Sequence, residues 1–108
     1  MNRVSEALVM MLAVDHPNFK VLADTYHMDI EHESLNALQM AGPNLRHIHV
    51  STFLGRKIPL ASDKVQLAAL MQMLKAIGYQ GNVSIEAGFR EDQAAEAKEA
   101  LAVLRELL

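Results

Sequence analysis

Leu45-Arg46-His47-Ile48-His49-Val50 alternates, with Leu45, His47 and His49 on one side and Arg46, Ile48 and Val50 on the other. Successive strand side chains point to opposite faces, so the pattern predicts a strand. Gly42-Pro43-Asn44 punctuates the chain before it, and a loop from Ser51 to Ser62, carrying Gly55, Arg56 and Pro59, follows. Two further short runs flank this one. Phe19-Lys20-Val21-Leu22-Ala23-Asp24 is mostly apolar and follows Asp15-His16-Pro17-Asn18, which stops the preceding helix. Asn82-Val83-Ser84-Ile85-Glu86 is a third strand, ended by the turn Ala87-Gly88-Phe89.

Helical spacing fills the intervals. Arg3 to Val14 places Ala7 with Met11 and Leu8 with Leu12 on one face. Thr25 to Glu33 is polar and rich in histidine and acid, and Ser34 is placed to cap a helix over Leu35, Leu38 and Met40. Asp63 opens a longer helix through Ile77, with Val65, Leu67, Leu70, Met71 and Leu74 apolar and Gly78 at a left-handed stop. Asp92 to Leu108 is an Ala/Glu/Leu helix. The order α-β-α-β-α-β-α implies a single α/β domain over residues 1–108, with a parallel sheet and right-handed crossovers.

Composition narrows the function classes. At 108 residues and 51% hydrophobic, the chain has the makings of one small core. Its formal charge of −3 gives no footprint for nucleic acid or an anionic membrane. With no cysteine there is neither a disulfide framework nor a thiolate zinc site, which fits a cytoplasmic location. Ala7 to Val14, the longest apolar stretch, is too short to span a bilayer, and no signal peptide is expected. The seven methionines are read as core fillers.

The chemistry gathers at the strand ends. Asp24, His49 and Glu86 each lie at the end of one strand. In parallel α/β folds the C-terminal strand ends face the active site. Three successive strands thus bring Asp, His and Glu to one sheet edge, a mixed O/N set suited to Mn²⁺, Mg²⁺, Co²⁺ or Zn²⁺. Each residue also has a plain structural role open to it. Asp24 can cap the turn after its strand, His49 can be a satisfied core histidine, and Glu86 can pair with Arg90. The coincidence at three consecutive strands favours the functional reading.

Three segments carry a family resemblance. Asp24-Thr25-Tyr26-His27-Met28-Asp29-Ile30-Glu31 resembles the Asp-Thr-aromatic-His-Met segment of the xylose-isomerase-like sugar epimerases and isomerases. His47-Ile48-His49-Val50 is similar to the family's His-x-His strand, and Leu74 to Gly81 with Val83 to Glu86 is similar to its "LKxIGYxG…vsiE" segment. The resemblance implies part of a (β/α)8 TIM barrel acting on a small sugar or sugar phosphate, isomerising or epimerising it through a cis-enediolate. It implies Asp24, His49 and Glu86 as ligands to a divalent metal, Mn²⁺ foremost. It implies His27 and Arg56 as substrate contacts and Glu86 as one of two proton-moving carboxylates.

The chain departs from that pattern in two places. Three strands stand where the family has eight. The resemblance places them last, so the strand-end Glu that supplies the fourth ligand and the second acid/base has no counterpart here. The loop Arg56 to Asp63 keeps Arg, Pro and Asp but drops the family's two glycines, and Arg56 lies one place further from His49. The expectation is a truncated chain or fragment, or a half-site completed by another chain. Open edges and a bare face invite pairing, so a homo-oligomer, most simply a dimer, is expected to cover a barrel-side face of Val21, Ala23, His47, His49, Val83 and Ile85. The rival reading is a non-catalytic, self-associating α/β fragment with residual metal binding. An endonuclease-type barrel would need more His and Asp ligands and a basic surface. His47 is read as structural, His16 and His32 as surface or turn residues, and Glu91, Asp92, Glu96, Glu99 and Glu106 as a solvated face.

Overall fold

The computed structural model describes residues 1–108. Helix α1 (Val4–Val14) leads to strand β1 (Val21–Asp24), helices α2 (Thr25–Ile30) and α3 (Asn36–Ala41), a 3₁₀ turn at Gly42–Asn44, and strand β2 (Leu45–Val50). A second 3₁₀ turn at Ala61–Asp63 precedes helix α4 (Lys64–Ala76), strand β3 (Asn82–Ile85) and helix α5 (Gln93–Leu107). The three strands form one parallel sheet in the order β1-β2-β3.

The expected architecture is present, with one helix more than the sequence pattern predicts. Thr25–Ile30 is polar on its surface, but Asp24 Oδ1 accepts from the backbone N–H of Tyr26 at 2.9 Å and of His27 at 3.4 Å. Those contacts satisfy the first amides of a short helix that periodicity alone does not reveal. The polar stretch also serves α1. The Glu33 carboxylate accepts from Val4 N at 2.8 Å and Ser5 N at 3.1 Å, at the end of that helix where a negative charge is stabilising.

Caps explain most element boundaries. Ser34 Oγ accepts from Asn36 N at 3.2 Å and starts α3. Asp92 accepts from Ala95 N at 3.0 Å and starts α5. Gly78, at φ +65°, ends α4 in the left-handed region. Asp63 behaves differently from expectation. Its carboxylate accepts from Leu60 N at 2.9 Å and closes the 3₁₀ turn, leaving α4 without a side-chain cap. Gly81 has a steric reason: a Cβ there would lie 2.4 Å from the Arg46 carbonyl oxygen.

The core lies on the helix side of the sheet. Val21, Ala23, Ile48 and Val50 are buried there against Val4, Met11, Leu38, Leu67, Met71, Leu74 and Leu104. Burying such side chains contributes about 1.5–3 kcal/mol each, which makes this layer the main source of stability. In α1 the buried face runs through Val4 and Met11, while Leu12 points outward at 67% exposure.

Register corrects the expected barrel-side face. Leu22 pairs with His47 and Asp24 with His49, while His47 pairs with Asn82 and His49 with Ser84. Partners in register share a face, so Leu22, Asp24, His47, His49, Asn82 and Ser84 form the open side. Val21, Ala23, Val83 and Ile85 belong to the covered side instead. One reason is a register shift between Val21 and Leu22, where Arg46 is the extra residue on β2.

The acids after β3 are also not a purely solvated face. Glu96 is buried, and its carboxylate accepts from the backbone N–H of Arg90, Glu91 and Asp92. Glu99 accepts from Ala61 N at 3.0 Å, and Glu106 pairs with Lys64. Together they tie α5 to the loop after β3 and to the start of α4.

Candidate metal centre

The parallel sheet aims its C-terminal edge at one place. Asp24 ends β1, His49 is the penultimate residue of β2, and Glu86 follows β3, with its N–H donating to Val50 O at 3.1 Å. One ligand-capable atom from each of the three lies within 4.8 Å of the others. His49 Nδ1 is 3.0 Å from Glu86 Oε2 and 3.6 Å from Asp24 Oδ2. Two carboxylates and an imidazole converging in this way are a donor set that fits a divalent cation.

The two carboxylates are held differently. Asp24 is only 10% exposed, and its oxygens divide the work. Oδ1 caps α2, and Oδ2 faces the cluster. The plain structural role and the ligand geometry therefore coexist in one side chain. Glu86 is half exposed and meets the cluster through Oε2. Hydrogen bonding with Asp24 holds its carboxyl below the usual range; the Arg56 guanidinium and His49 add to this, and partial desolvation opposes it. Glu86 does not pair with Arg90, which donates to the Ile58 carbonyl oxygen and lies 3.9 Å from Asp63.

Arg56 is at the centre. Its Nη2 donates to Asp24 Oδ2 at 3.1 Å and also to Glu86 Oε2. The guanidinium lies 5.0 Å from the centroid of the Tyr26 ring, a cation–π distance. The loop that presents it is fixed on both sides. Thr52 Oγ1 accepts from Lys57 N at 3.0 Å and donates to Leu54 O at 2.8 Å. Lys57 forms an isolated parallel bridge with Gly88, through Gly88 N to Arg56 O at 2.9 Å and Ile58 N to Gly88 O at 3.0 Å. Arg56 itself sits at φ +50°, a conformation few non-glycine residues adopt. Sequence spacing cannot show this clamp, because it joins Lys57 to Gly88, in two loops distant along the chain.

Two further histidines lie near this cluster. His27 lies on α2, one turn beyond Asp24, with its ring edge-on to Tyr26 at 5.4 Å and outside the three-residue cluster. His47 stacks edge-to-face on His49, with centroids 5.0 Å apart, so it buttresses the imidazole from the open sheet face. No helix is long and apolar enough to cross a membrane.

Known proteins resemble this chain throughout. The xylose isomerase-like TIM barrel family matches residues 1–107. A D-psicose 3-epimerase of Ruminiclostridium cellulolyticum is 36% identical over 86 residues, covering 79% of this chain and 29% of the relative. A 3-dehydro-D-guloside 4-epimerase of Escherichia coli is 30% identical over 106 residues, covering 96% of this chain and 40% of the relative. Among solved structures, the 3-keto-D-glucoside 4-epimerase of E. coli superposes with a TM-score of 0.87 at 31% identity, over 98% of this chain and 40% of that one. The chain thus spans 29% to 40% of the length of these curated relatives. Matched in sequence along residues 1–107 and in fold over 98% of its length, the chain belongs to the xylose isomerase-like TIM barrel family.

Proposed function

We propose that the chain is the C-terminal part of a metal-dependent sugar epimerase or isomerase, acting on an unphosphorylated or phosphorylated ketose or a related hydroxy-carbonyl sugar. The observation that carries this reading is the convergence of Asp24, His49 and Glu86 at three parallel strand ends, with ligand atoms within 4.8 Å of one another. The epimerases named among its relatives support the reaction class.

In this reading Asp24, His49 and Glu86 hold a divalent cation, Mn²⁺ first. The cation supplies Lewis-acid polarisation of a sugar carbonyl and its neighbouring hydroxyl. Glu86 is the catalytic carboxylate, taking or returning the proton on the carbon next to the carbonyl. Asp24 keeps its Oδ2 directed at the centre because Oδ1 is anchored to α2. His27, on the helix that starts at Asp24, and Arg56, above the two carboxylates, contact the sugar oxygens. The opposite proton donor and the fourth ligand come from the rest of the barrel.

The open face of Leu22, His47, Asn82 and Ser84 needs a cover, supplied by further barrel strands or by a second copy in a homo-oligomer. Light scattering after size exclusion reads the mass directly. A self-covered face gives a dimer that Leu22→Glu dissociates; a monomer at micromolar concentration contradicts self-association.

The chemistry is tested by proton exchange. With Mn²⁺ and D-psicose or D-fructose in D₂O, the C3–H NMR signal is expected to fade, and Glu86→Gln to slow this by about 10²–10⁴-fold. No exchange above a metal-only control removes the proton-transfer role and leaves the family intact. One observation favours a second reading, the non-catalytic, self-associating fragment with residual metal binding: Arg56 already pairs with both carboxylates. Mn²⁺ binding without exchange is the result that reading predicts.

A further inference from the structure

We propose that Arg56 is a built-in counter-cation of the centre, so that binding of a divalent metal requires the guanidinium to leave the two carboxylates. The inference rests on the reading of Asp24, His49 and Glu86 as metal ligands, and it adds a determinant of how strongly the site takes its metal.

Few carboxylate oxygens of the centre are free for a cation. Asp24 Oδ1 is committed to Tyr26 N and His27 N. Its Oδ2 is the oxygen left for a cation, and that oxygen accepts from Arg56 Nη2 at 3.1 Å. Glu86 Oε2, the oxygen that faces His49 Nδ1 at 3.0 Å, accepts from the same Nη2. One guanidinium nitrogen thus bridges the two oxygens that, with His49, make up the ligand cluster.

Electrostatics explains why a cation is needed there at all. Two carboxylates and an imidazole lie within a few ångströms, with Asp24 nearly buried. Like charges this close repel, and a positive group between them relieves that repulsion. Arg56 supplies that charge within the chain. A metal bonded to the same oxygens meets a like-charged competitor already hydrogen-bonded to them. Its apparent affinity is lowered by the population of the arginine-bound state.

The structure also limits how Arg56 can leave. Its backbone is held by Gly88 N on Arg56 O and by the Thr52–Lys57 contacts, so the loop need not open. The side chain is one-third exposed and packs beside Tyr26. Rotation of the side chain toward solvent along the Tyr26 ring is therefore sufficient. After release the guanidinium stays tethered above the centre, where a sugar oxygen or a substrate anion would meet it.

The test uses MnCl₂ as the probe and calorimetry as the readout, with the whole protein as wild type, Arg56→Gln, Arg56→Lys and Asp24→Ala. Arg56→Gln keeps the stem and removes the charge, and is expected to bind Mn²⁺ about tenfold more tightly, equivalent to about 1.4 kcal/mol. Arg56→Lys is expected to fall between it and wild type, since a point charge lacks the fork. Without metal, Arg56→Gln is expected to melt below wild type, and Mn²⁺ is expected to raise its Tm by more than it raises that of wild type. If Asp24→Ala abolishes binding while Arg56→Gln binds no tighter than wild type, the counter-cation role is overturned and the ligand reading stands. If Asp24→Ala binds Mn²⁺ undiminished, or no variant binds it, the ligand reading falls and takes the proposal with it.

Discussion

The two faces of the sheet differ in nearly everything but sequence neighbourhood. On one side Val21, Ala23, Ile48 and Val50 are sealed by residues from all five helices, with Ile48 at 0% exposure. On the other, one residue along each strand, Leu22 is 45% exposed, and His47, His49, Asn82 and Ser84 stand open beside it. The covered face is apolar and holds the fold. The open face is polar and ends, at its C-terminal edge, in the three-ligand centre. A period of two lets strands of four to six residues serve both purposes at once. The two can therefore be broken separately.

The largest effect is expected on the covered face. Ile48→Ala removes a fully buried side chain from the central strand and is expected to lower stability by about 2–5 kcal/mol in denaturant unfolding. Its neighbour His47→Ala is expected to stay within about 0.5 kcal/mol of wild type. If His47→Ala costs as much as Ile48→Ala, the open face is covered in solution and the contrast fails.

The next effect separates the two oxygens of Asp24. Asp24→Asn keeps an acceptor for Tyr26 N and His27 N but lacks the charge. It is expected to retain most of the thermal stability while losing Mn²⁺ affinity by more than about 100-fold. Asp24→Ala removes the cap as well and is expected to cost about 1 kcal/mol in addition. Equal melting of the two variants would show that the cap contributes nothing.

The smallest effect is a pH dependence. Glu96 is held below the ordinary carboxylate range by the backbone N–H of Glu91, then by that of Arg90, against desolvation and with help from Asp92. A folded pKa below the unfolded one means stability that is present above the unfolded value and lost as pH falls through the folded one. Acidification below about pH 4.5 is thus expected to weaken the β3–α5 junction, and Glu96→Gln to flatten that slope. Thermal melts between pH 3 and 7 read both, and an unchanged slope in Glu96→Gln would assign it to other carboxylates.

The sequence makes one half of this picture legible. The alternation from Leu45 to Val50 fixes β2, and acids or histidine at three strand ends mark the edge where chemistry gathers. Which face is inside is harder to see. Val21 and Ala23 look like barrel lining because they are apolar, yet the parity of Asp24 already excludes them. A strand-end ligand that faces the centre puts Leu22 on its side and Val21 and Ala23 on the other. The shift at Arg46 then moves β1 against β2 by one residue, a tertiary event with no local signature. Helix α2 escapes notice because its cap is the same Asp24 that reads as a ligand. Arg56 stands out as a loop cation, but its seat between two carboxylates depends on the Lys57–Gly88 bridge, which links loops distant in sequence.

The central claim is that the strand ends, and not the acidic surface at large, form one cation centre. Paramagnetic broadening of backbone amide signals by substoichiometric Mn²⁺ tests it most directly. The account predicts that signals around Asp24, His49 and Glu86 vanish first, that His47 follows, that those of α5 persist, and that Asp24→Asn abolishes the pattern. Broadening centred on surface acids such as Asp15 or Glu106, or the same pattern in Asp24→Asn, would contradict it.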